Sequence, residues 1–258
     1  RGTARHSSKA ARSAAGSLRM EVVSAAFSPI LRPYNAHVSH SDRAEQRIVG
    51  ERTVRGHAVG GHTVGIVLAA GAGTRMGRPK ALMCTPDGSP WLELAERTLR
   101  AGGCAEVILV LGASLDPAET PKQHPSDPDI DAFLESRRIV VARDWATGVS
   151  ASLRAGLRAA GETTADTALI TLVDLPYLEA ETVARVLAHA TGPDALARGV
   201  DGGRPAHPVL IGRNHWEPLM DALAGDHGAR EYLRANGATP VDVTGLGGAD
   251  DVDHAPDR

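Results

Sequence analysis

Three glycines and two cationic residues follow a short apolar run and form the most informative group in the sequence. Gly71, Gly73 and Gly77 allow the backbone to turn tightly and to approach a ligand closely. Successive N–H groups in such a turn form a concave site for anions. Arg75 and Lys80 can neutralise phosphate oxygens, because arginine provides a fork of donors and lysine a compact positive charge. These residues predict a binding site for the phosphates of a nucleoside triphosphate.

The spacing of the glycines differs from that of two common phosphate-binding motifs. A Walker loop has the form Gly-x-x-x-x-Gly-Lys-Ser/Thr, whereas Gly71 and Gly77 are six positions apart and Arg78 follows the second glycine. The dinucleotide fingerprint has the form Gly-x-Gly-x-x-Gly, and the segment between Gly73 and Gly77 is one residue too long for it. Both motifs are therefore excluded, and an ordinary glycine-rich connection between a strand and a helix is the structural alternative.

A single carboxylate at the end of another apolar run is the second candidate group. Asp174 follows residues 167–173 and precedes Leu175-Pro176. Nucleotidyl transfer builds negative charge on the triphosphate, and Mg²⁺ in such sites takes one or two carboxylates together with the substrate phosphates. We expect Asp174 to be a metal ligand. An aspartate that caps a helix or a turn is the structural alternative.

Strands that alternate with helices must position these groups. Because such alternation is typical of a parallel sheet, we expect a three-layer α/β fold with a mostly parallel sheet and helices on both faces. Ligands bind beyond the carboxyl ends of the strands in such sheets, where the glycine loop and Asp174 would meet. The predicted strands are 64–70, 106–111, 138–142, 167–173, 194–199, 208–211 and 239–243, and the predicted helices are 90–101, 129–136, 149–160, 179–190, 214–224 and 228–235.

Composition and charge narrow the classes of function. The chain has 258 residues, of which 42% are hydrophobic, enough for one large α/β domain or two small ones. A net charge of −3 gives no general attraction to nucleic acid. The apolar runs are too short to span a membrane, and Cys84 and Cys104 provide neither a disulfide framework nor the spacing of a metal site. We therefore expect a soluble cytoplasmic protein that binds neither nucleic acid nor membranes.

Residues 1–61 differ in composition from the rest of the chain. They hold ten Lys and Arg but only four Asp and Glu, and they lack sustained periodicity. We predict a disordered or non-native basic extension for 1–61 and a single folded domain for 62–258. An organellar transit peptide and a nucleic-acid-binding arm are the alternatives for the basic segment.

The glycine loop resembles the signature loop of nucleotidyltransferases that make activated sugars and cofactors. Its residues Leu68-Ala69-Ala70-Gly71-x-Gly73-x-Arg75-Met76-Gly77-x-Pro79-Lys80 are most similar to those of the molybdenum cofactor cytidylyltransferase family. The resemblance implies a Rossmann-like nucleotidyltransferase fold for residues 62–258. It also implies that the nucleotide is bound by Leu68, Ala69, Ala70, Gly71, Gly73, Thr74, Arg75, Met76, Gly77 and Lys80.

Three segments in the second half of the chain also resemble this family. They comprise residues 145–153, 202–209 and 225–230. A glycine before a serine-rich helix start exposes unpaired N–H groups that suit an anion. The structural alternatives are that Ser150 caps the helix, that His207 is a hydrogen-bonded structural residue and that Arg230 forms a surface ion pair. Asp226 is expected to cap the last helix. The residues assigned in this way to the acceptor are Ser150, Ser152, His207 and Arg230.

The acidic C-terminal stretch resembles the closing segment of the family, which lies by the active site and helps to hold the metal. Asp251 or Asp253 would then be the second carboxylate on the metal beside Asp174. His254 stands where the family has Thr, and Pro256 comes one position later than usual. A solvated acidic tail is the alternative.

The resemblance implies a complete reaction. CTP would donate CMP to the phosphate of molybdopterin with Mg²⁺ as the cofactor, pyrophosphate would leave, and the product would pass to an apo-molybdoenzyme of the xanthine dehydrogenase type. Arg75, Lys80 and Asp174 would be the catalytic residues. Ala69-Ala70-Gly71 favours the cytidylyl over the guanylyl group, which tends to have Ala-Gly-Gly. Transfer from GTP, a sugar phosphate acceptor and a non-catalytic accessory protein are the alternatives.

Overall fold

The computed structural model describes residues 62–73, 77–112, 133–247 and 251–252, all within a compact unit of residues 55–258. The extension predicted for 1–61 lies outside the described residues. No helix in the described part of the chain is both long and apolar enough to cross a bilayer.

Seven strands form one sheet in the order β3-β2-β1-β4-β6-β5-β7. Among these strands β6 alone runs against the others, because it pairs antiparallel with both of its neighbours while the remaining pairs are parallel. The prediction of a mostly parallel sheet is confirmed. The strands are β1 Thr63–Ala69, β2 Glu106–Gly112, β3 Arg138–Ala142, β4 Thr167–Leu172, β5 Leu196–Asp201, β6 Arg204–Gly212 and β7 Thr239–Asp242.

Helices cover both faces of the sheet, as the alternating pattern predicted. They are α1 Trp91–Ala101, α2 Val149–Gly161, α3 Ala180–Leu187, α4 Trp216–Ala222 and α5 Arg230–Ala235. The apolar residues of α1 and α3 pack on one face, which we call the α1 face. Those of α2, α4 and α5 pack on the other, which we call the α2 face. The chain thus forms three layers with the sheet buried between them.

The side chains of β1 alternate between these two faces because successive residues of a strand point in opposite directions. Val64, Ile66 and Leu68 pack on the α2 face, and Val67 packs on the α1 face. Helix α2 approaches β1 closely at Gly156, where an added Cβ would lie 2.8 Å from Cγ2 of Ile66. The absence of a side chain at residue 156 therefore sets the distance between α2 and the sheet.

Strand β6 is longer than the sequence predicted. The expected strand was 208–211, but residues 204–212 are all extended. Gly202 and Gly203 both have positive φ and join β5 to β6 in a two-residue hairpin, which pairs Asp201 with Arg204. Residues that the pattern assigned to a loop are therefore held in the sheet by the preceding strand.

Candidate functional site

A cavity of about 340 Å³ opens at the carboxyl ends of β1 and β4. This is the edge of the sheet where the sequence predicted the site. The cavity is on the α2 face, because its strand-end residues continue the side-chain alternation of that face. Of the predicted site residues, it is lined by Leu68, Ala70, Gly71, Lys80, Ser152 and Asp174.

Lys80 and Asp174, which are 94 residues apart in the chain, form an ion pair in this cavity. The Lys80 Nζ atom donates to the Asp174 Oδ2 atom at 2.7 Å. Their side chains are 18% and 14% exposed, so solvent screens the pair only weakly. Lys80 begins a short 3-10 turn after Pro79, and the next residue, Ala81, is buried in the core. The fold therefore holds the ammonium group in a defined place beside the end of β4.

The second oxygen of Asp174 fits the role of a metal ligand. Its Oδ1 atom is buried and has no hydrogen-bond partner within the described residues. A buried acceptor without a partner is costly, and a cation that coordinates it would remove this cost. No cluster of three or more His, Cys, Asp or Glu residues in the described ranges could hold a metal alone. Among the described residues, Asp174 therefore offers a divalent cation one carboxylate and not a complete set of ligands.

The acidic C-terminal stretch reaches Asp174 through its backbone. The amide of Val252 donates to the main-chain oxygen of Asp174 at 3.0 Å. Asp251, the preceding residue, is exposed at this edge of the sheet. Asp253 lies outside the described residues, so its predicted role as a ligand stays a prediction.

The glycine loop is partly described. Gly73 has φ +60°, and a Cβ there would lie 1.9 Å from the carbonyl oxygen of Arg78, so only glycine fits this close return of the loop. Gly77 also has positive φ and is exposed. Ala69 packs in the core of the α1 face, so its side chain points away from the cavity and only its main chain is near the site. The roles predicted for Thr74, Arg75 and Met76 fall outside the described residues.

The start of α2 forms one wall of the cavity. Gly148 precedes the helix with φ +120°, and a Cβ there would lie 2.5 Å from both the Asp226 Oδ1 atom and the Gly225 oxygen. The Ser150 amide donates to the Gly225 oxygen at 3.2 Å. The alternative that Ser150 caps the helix is wrong, because Gly148 occupies the capping position and no side chain bonds there. Ser152 lines the cavity, whereas Ser150 is buried beside it.

Eight residues that line the cavity were not assigned to the site from the sequence, and Asp226 and Trp145 are among them. Asp226 was expected to cap the last helix, but α5 begins only at Arg230, and Asp226 lines the cavity instead. Trp145 also lines the cavity, and a Cβ at Gly112 would lie 3.3 Å from its ring, so the glycine lets the ring pack against the end of β2. Both residues lie in segments that resemble the family, and this resemblance was the signal that could have identified them as site residues.

Two of the predicted acceptor residues, His207 and Arg230, do not line this cavity. His207 lies within β6 rather than before a strand, and its Nδ1 atom is 3.4 Å from the Ile170 carbonyl oxygen. Burial lowers the pKa of His207, although the bond to Ile170 and the charge of Asp174 oppose this shift. His207 is therefore neutral at pH 7. Arg230 is the exposed first residue of α5.

The chain is similar to known proteins along most of its described length. A family model described as the MobA-like NTP transferase domain matches residues 65–241. A nicotine blue oxidoreductase from Paenarthrobacter nicotinovorans is 38% identical over 177 residues, which cover 66% of this chain and 80% of that protein. A molybdenum cofactor guanylyltransferase from Rhodobacter capsulatus is 31% identical over 212 residues, which cover 75% of this chain and 95% of that protein.

Solved structures share the fold at lower identity. A Mycobacterium tuberculosis H37Rv protein in complex with manganese has a TM-score of 0.53 at 23% identity, with 71% of this chain and 88% of that chain covered. A nucleotidyl transferase from a Methanothermobacter species has a TM-score of 0.55 at 20% identity, with 75% of this chain and 92% of that chain covered. These neighbours have the same mostly parallel three-layer arrangement.

Proposed function

Because this chain belongs to the MobA-like NTP transferase domain family and is a nucleotidyltransferase, we propose that it transfers CMP from CTP to the phosphate of a molybdopterin acceptor. The single observation that carries the proposal is the Lys80–Asp174 pair in the cavity next to Gly71. A cation and a carboxylate with one unpartnered oxygen are what a triphosphate and its metal require at the end of a parallel sheet.

In the proposed reaction a phosphate oxygen of the acceptor attacks the α-phosphorus of CTP. The bond from the α-phosphorus to the bridging oxygen breaks, and pyrophosphate leaves with that oxygen. The backbone of the glycine loop and the Lys80 ammonium group hold the β- and γ-phosphates, with Arg75 in the same predicted role. The side chains supply no nucleophile, so their contribution is alignment and neutralisation of charge.

The residues of the site fit Mg²⁺ as the cofactor. Asp174 would hold it through its Oδ1 atom, with Asp251 or Asp253 as the second carboxylate. When bound, Mg²⁺ would neutralise charge that develops on the phosphates. Lys80 donates to the other oxygen of Asp174 and so orients this carboxylate.

The choice of CTP over GTP rests on Ala70, where the guanylyl group tends to have glycine. The methyl group of Ala70 lines the cavity beside Leu68, and glycine at position 70 would leave more room. A smaller space favours the single ring of cytosine over the double ring of guanine. GTP is the second donor, because the Rhodobacter capsulatus relative is named a guanylyltransferase.

The test is pyrophosphate release by the purified full chain with Mg²⁺, a molybdopterin source and each of the four ribonucleoside triphosphates. We expect release with CTP to exceed release with GTP by about tenfold or more, since the misfit of a ring in a packed pocket costs about 1–3 kcal/mol. Equal or greater release with GTP would reassign the donor. No acceptor-dependent release with any nucleotide would overturn transfer to molybdopterin.

A second candidate function follows from the relative that is 38% identical, which is named an oxidoreductase. Under this alternative the cavity binds a planar dye and a reduced dinucleotide. The spacing of Gly71, Gly73 and Gly77 does not match the dinucleotide fingerprint, and this argues against the alternative. Loss of the colour of nicotine blue in the presence of NADH or NADPH, without any nucleoside triphosphate, would support it.

We also propose that the product is delivered to an apo-molybdoenzyme of the xanthine dehydrogenase type. Cytidylylated cofactor made by this chain should restore activity to such an apoenzyme, whereas cofactor incubated without CTP should not. Equal restoration by both preparations would contradict this part of the proposal.

A further inference from the structure

Two arginines beside the site have no ion-pair partner in the part of the chain that the structure describes. Within the described ranges, neither Arg198 nor Arg230 takes part in an ion pair or a hydrogen bond, and the Arg198 Nε atom is buried without a partner. Burial lowers the pKa of Arg198, and the positive charge of Arg230 lowers it further. The two guanidinium groups therefore repel one another in a partly desolvated place.

The pairing of the strands places Arg198 on the same face as the cavity and level with Ile170, two residues before the end of β4. Arg198 of β5 lies opposite Val209 of β6, and directly opposed residues of an antiparallel pair project on the same face. Val209 packs on the α2 face, and His207, two residues earlier in β6, shares that face. Because β6 runs against the other strands, its first residues reach the edge where β4 and β5 end.

The order of the strands puts Asp174 between two groups of cations. The glycine loop follows β1, Asp174 follows β4, and Arg198 lies two strands beyond β4 on β5. Neighbouring strands are about 4.8 Å apart, so β5 lies about 10 Å from β4. The reach of an arginine side chain covers much of that distance. An anion held by Arg198 would consequently lie on the side of Asp174 opposite the glycine loop.

We propose that Arg198 and Arg230 form a binding site for a phosphate monoester dianion, and that this is the phosphate of the acceptor. Two guanidinium forks without carboxylates match the charge and the geometry of such a group. His207, which is neutral, adds a polar group at the same face without adding charge. The identification of the anion as the acceptor rests on the proposed function, whereas the anion site itself does not.

The first experiment measures steady-state transfer by Arg198→Met and Arg230→Met, with Arg234→Met as the matched control. Arg234 lies one turn beyond Arg230 on the same helix and is exposed. In both test variants we expect the KM for the molybdopterin acceptor to rise about ten- to a hundredfold, as for the loss of one charge-assisted hydrogen bond. The KM for CTP should change less than about twofold, and the control should behave as wild type. Arg198→Lys should recover part of the lost acceptor affinity.

The second experiment measures thermal unfolding with inorganic phosphate as the probe and without nucleotide. Phosphate should raise the melting temperature of wild type and Arg234→Met more than that of Arg198→Met. In phosphate-free buffer Arg198→Met should melt no lower than wild type, because the substitution removes repulsion between like charges.

The outcomes separate the two proposals. If wild type transfers nucleotide but Arg198→Met keeps its acceptor KM, the assignment of the acceptor site is wrong. The same holds if Arg234→Met raises the acceptor KM as much as Arg198→Met does. If wild type transfers nothing but phosphate stabilises it through Arg198, the proposed function fails and the anion site stands. An equal phosphate effect in wild type and Arg198→Met overturns the anion site.

Discussion

The two sides of Asp174 differ in how their positive charges are balanced. On the side of the glycine loop, Lys80 bonds to Asp174 at 2.7 Å, so the protein supplies both members of the pair. On the side of β5, the positive charge of Arg230 lowers the pKa of Arg198, and neither arginine has an ion-pair partner among the described residues. On the first side a carboxylate of the protein balances the ammonium group, although the Oδ1 atom of that carboxylate still lacks a partner among the described residues, whereas on the second side the balancing charge has to come from an anion. The two sides of Asp174 therefore differ in whether the protein itself balances their positive charges.

This difference gives substitutions on the two sides opposite effects on stability. Removal of one partner from a balanced pair leaves a charge or an acceptor without compensation. Removal of one of two like charges relieves repulsion. The expected effects that follow run from the largest to the smallest, and each tests the contrast between the two sides.

The largest effect is expected for Asp174→Asn. This change removes the negative charge of the proposed metal ligand and weakens the bond to Lys80. We expect transfer to fall on the order of 10³-fold, comparable with the loss of a central electrostatic contact in an active site. Asp221→Asn on the exposed side of α4 is the control and should retain activity. Full Mg²⁺-dependent activity in Asp174→Asn would remove the metal assignment.

The next largest effect is a difference between Lys80→Met and Arg198→Met in thermal unfolding without substrate. Lys80→Met removes the ammonium group that donates to the Asp174 carboxylate. We expect the free energy of unfolding to fall by about 1–3 kcal/mol. Arg198→Met should cost nothing or stabilise the protein. Added Mg²⁺ should raise the melting temperature of Lys80→Met more than it raises that of the wild type. A loss of the same size in both variants would remove the contrast between the two sides.

A smaller effect is expected for Gly148→Ala. The substitution imposes a side chain at φ +120° and forces the carbonyl of Gly225 away from the start of α2. We expect a loss of stability of about 1–3 kcal/mol, together with a lower transfer rate because a cavity wall shifts. Gly161→Ala at the other end of α2 meets no atom within 4 Å and should be close to neutral. Chemical denaturation of the two variants provides the measurement.

The smallest effect concerns pH and the neutral histidine between the two sides. Burial lowers the pKa of His207 below its ordinary value of 6.5, so the unfolded chain takes up a proton at a pH where the folded chain does not. This contribution to stability is complete above pH 6.5 and is lost as the pH falls towards the lowered pKa. We expect His207→Gln to flatten the decline in unfolding free energy below pH 6.5, measured with EDTA present. An unchanged decline would show that another group causes it.

Much of the glycine-loop side could be predicted from the sequence. β1 and β4 are buried on both faces and read as continuous apolar runs, and a strand end is where such a sheet holds its ligands. That rule was enough to bring Lys80 and Asp174 together across 94 residues. The identity of the glycine loop came from its resemblance to a family, since its spacing alone matched no general motif.

The β5 side could not be predicted in the same way. Arg198 is a single basic residue in a short strand and belongs to no motif. Its place in the site depends on its pairing with Val209 and on the reversed direction of β6. Neither property could be predicted from the local sequence. The pattern assigned Gly202-Gly203 to a loop, whereas these residues form a hairpin, and the order of the strands depends on tertiary packing. Asp226 was misplaced for a related reason, since it lies close to Gly148, the residue before α2, which is 78 positions earlier in the chain.

The tight approach of α2 to β1 at Gly156 helps to set the width of the cavity at the carboxyl ends of β1 and β4. Residues of α2 line one side of this cavity and residues of β1 line the other. The contact between Gly156 and Ile66 sets the distance between the two elements. A bulkier residue at position 156 would act as a spacer and push the two elements apart without touching any substrate. A substitution at residue 156 would therefore change the width of the cavity while leaving every side chain that lines it unchanged.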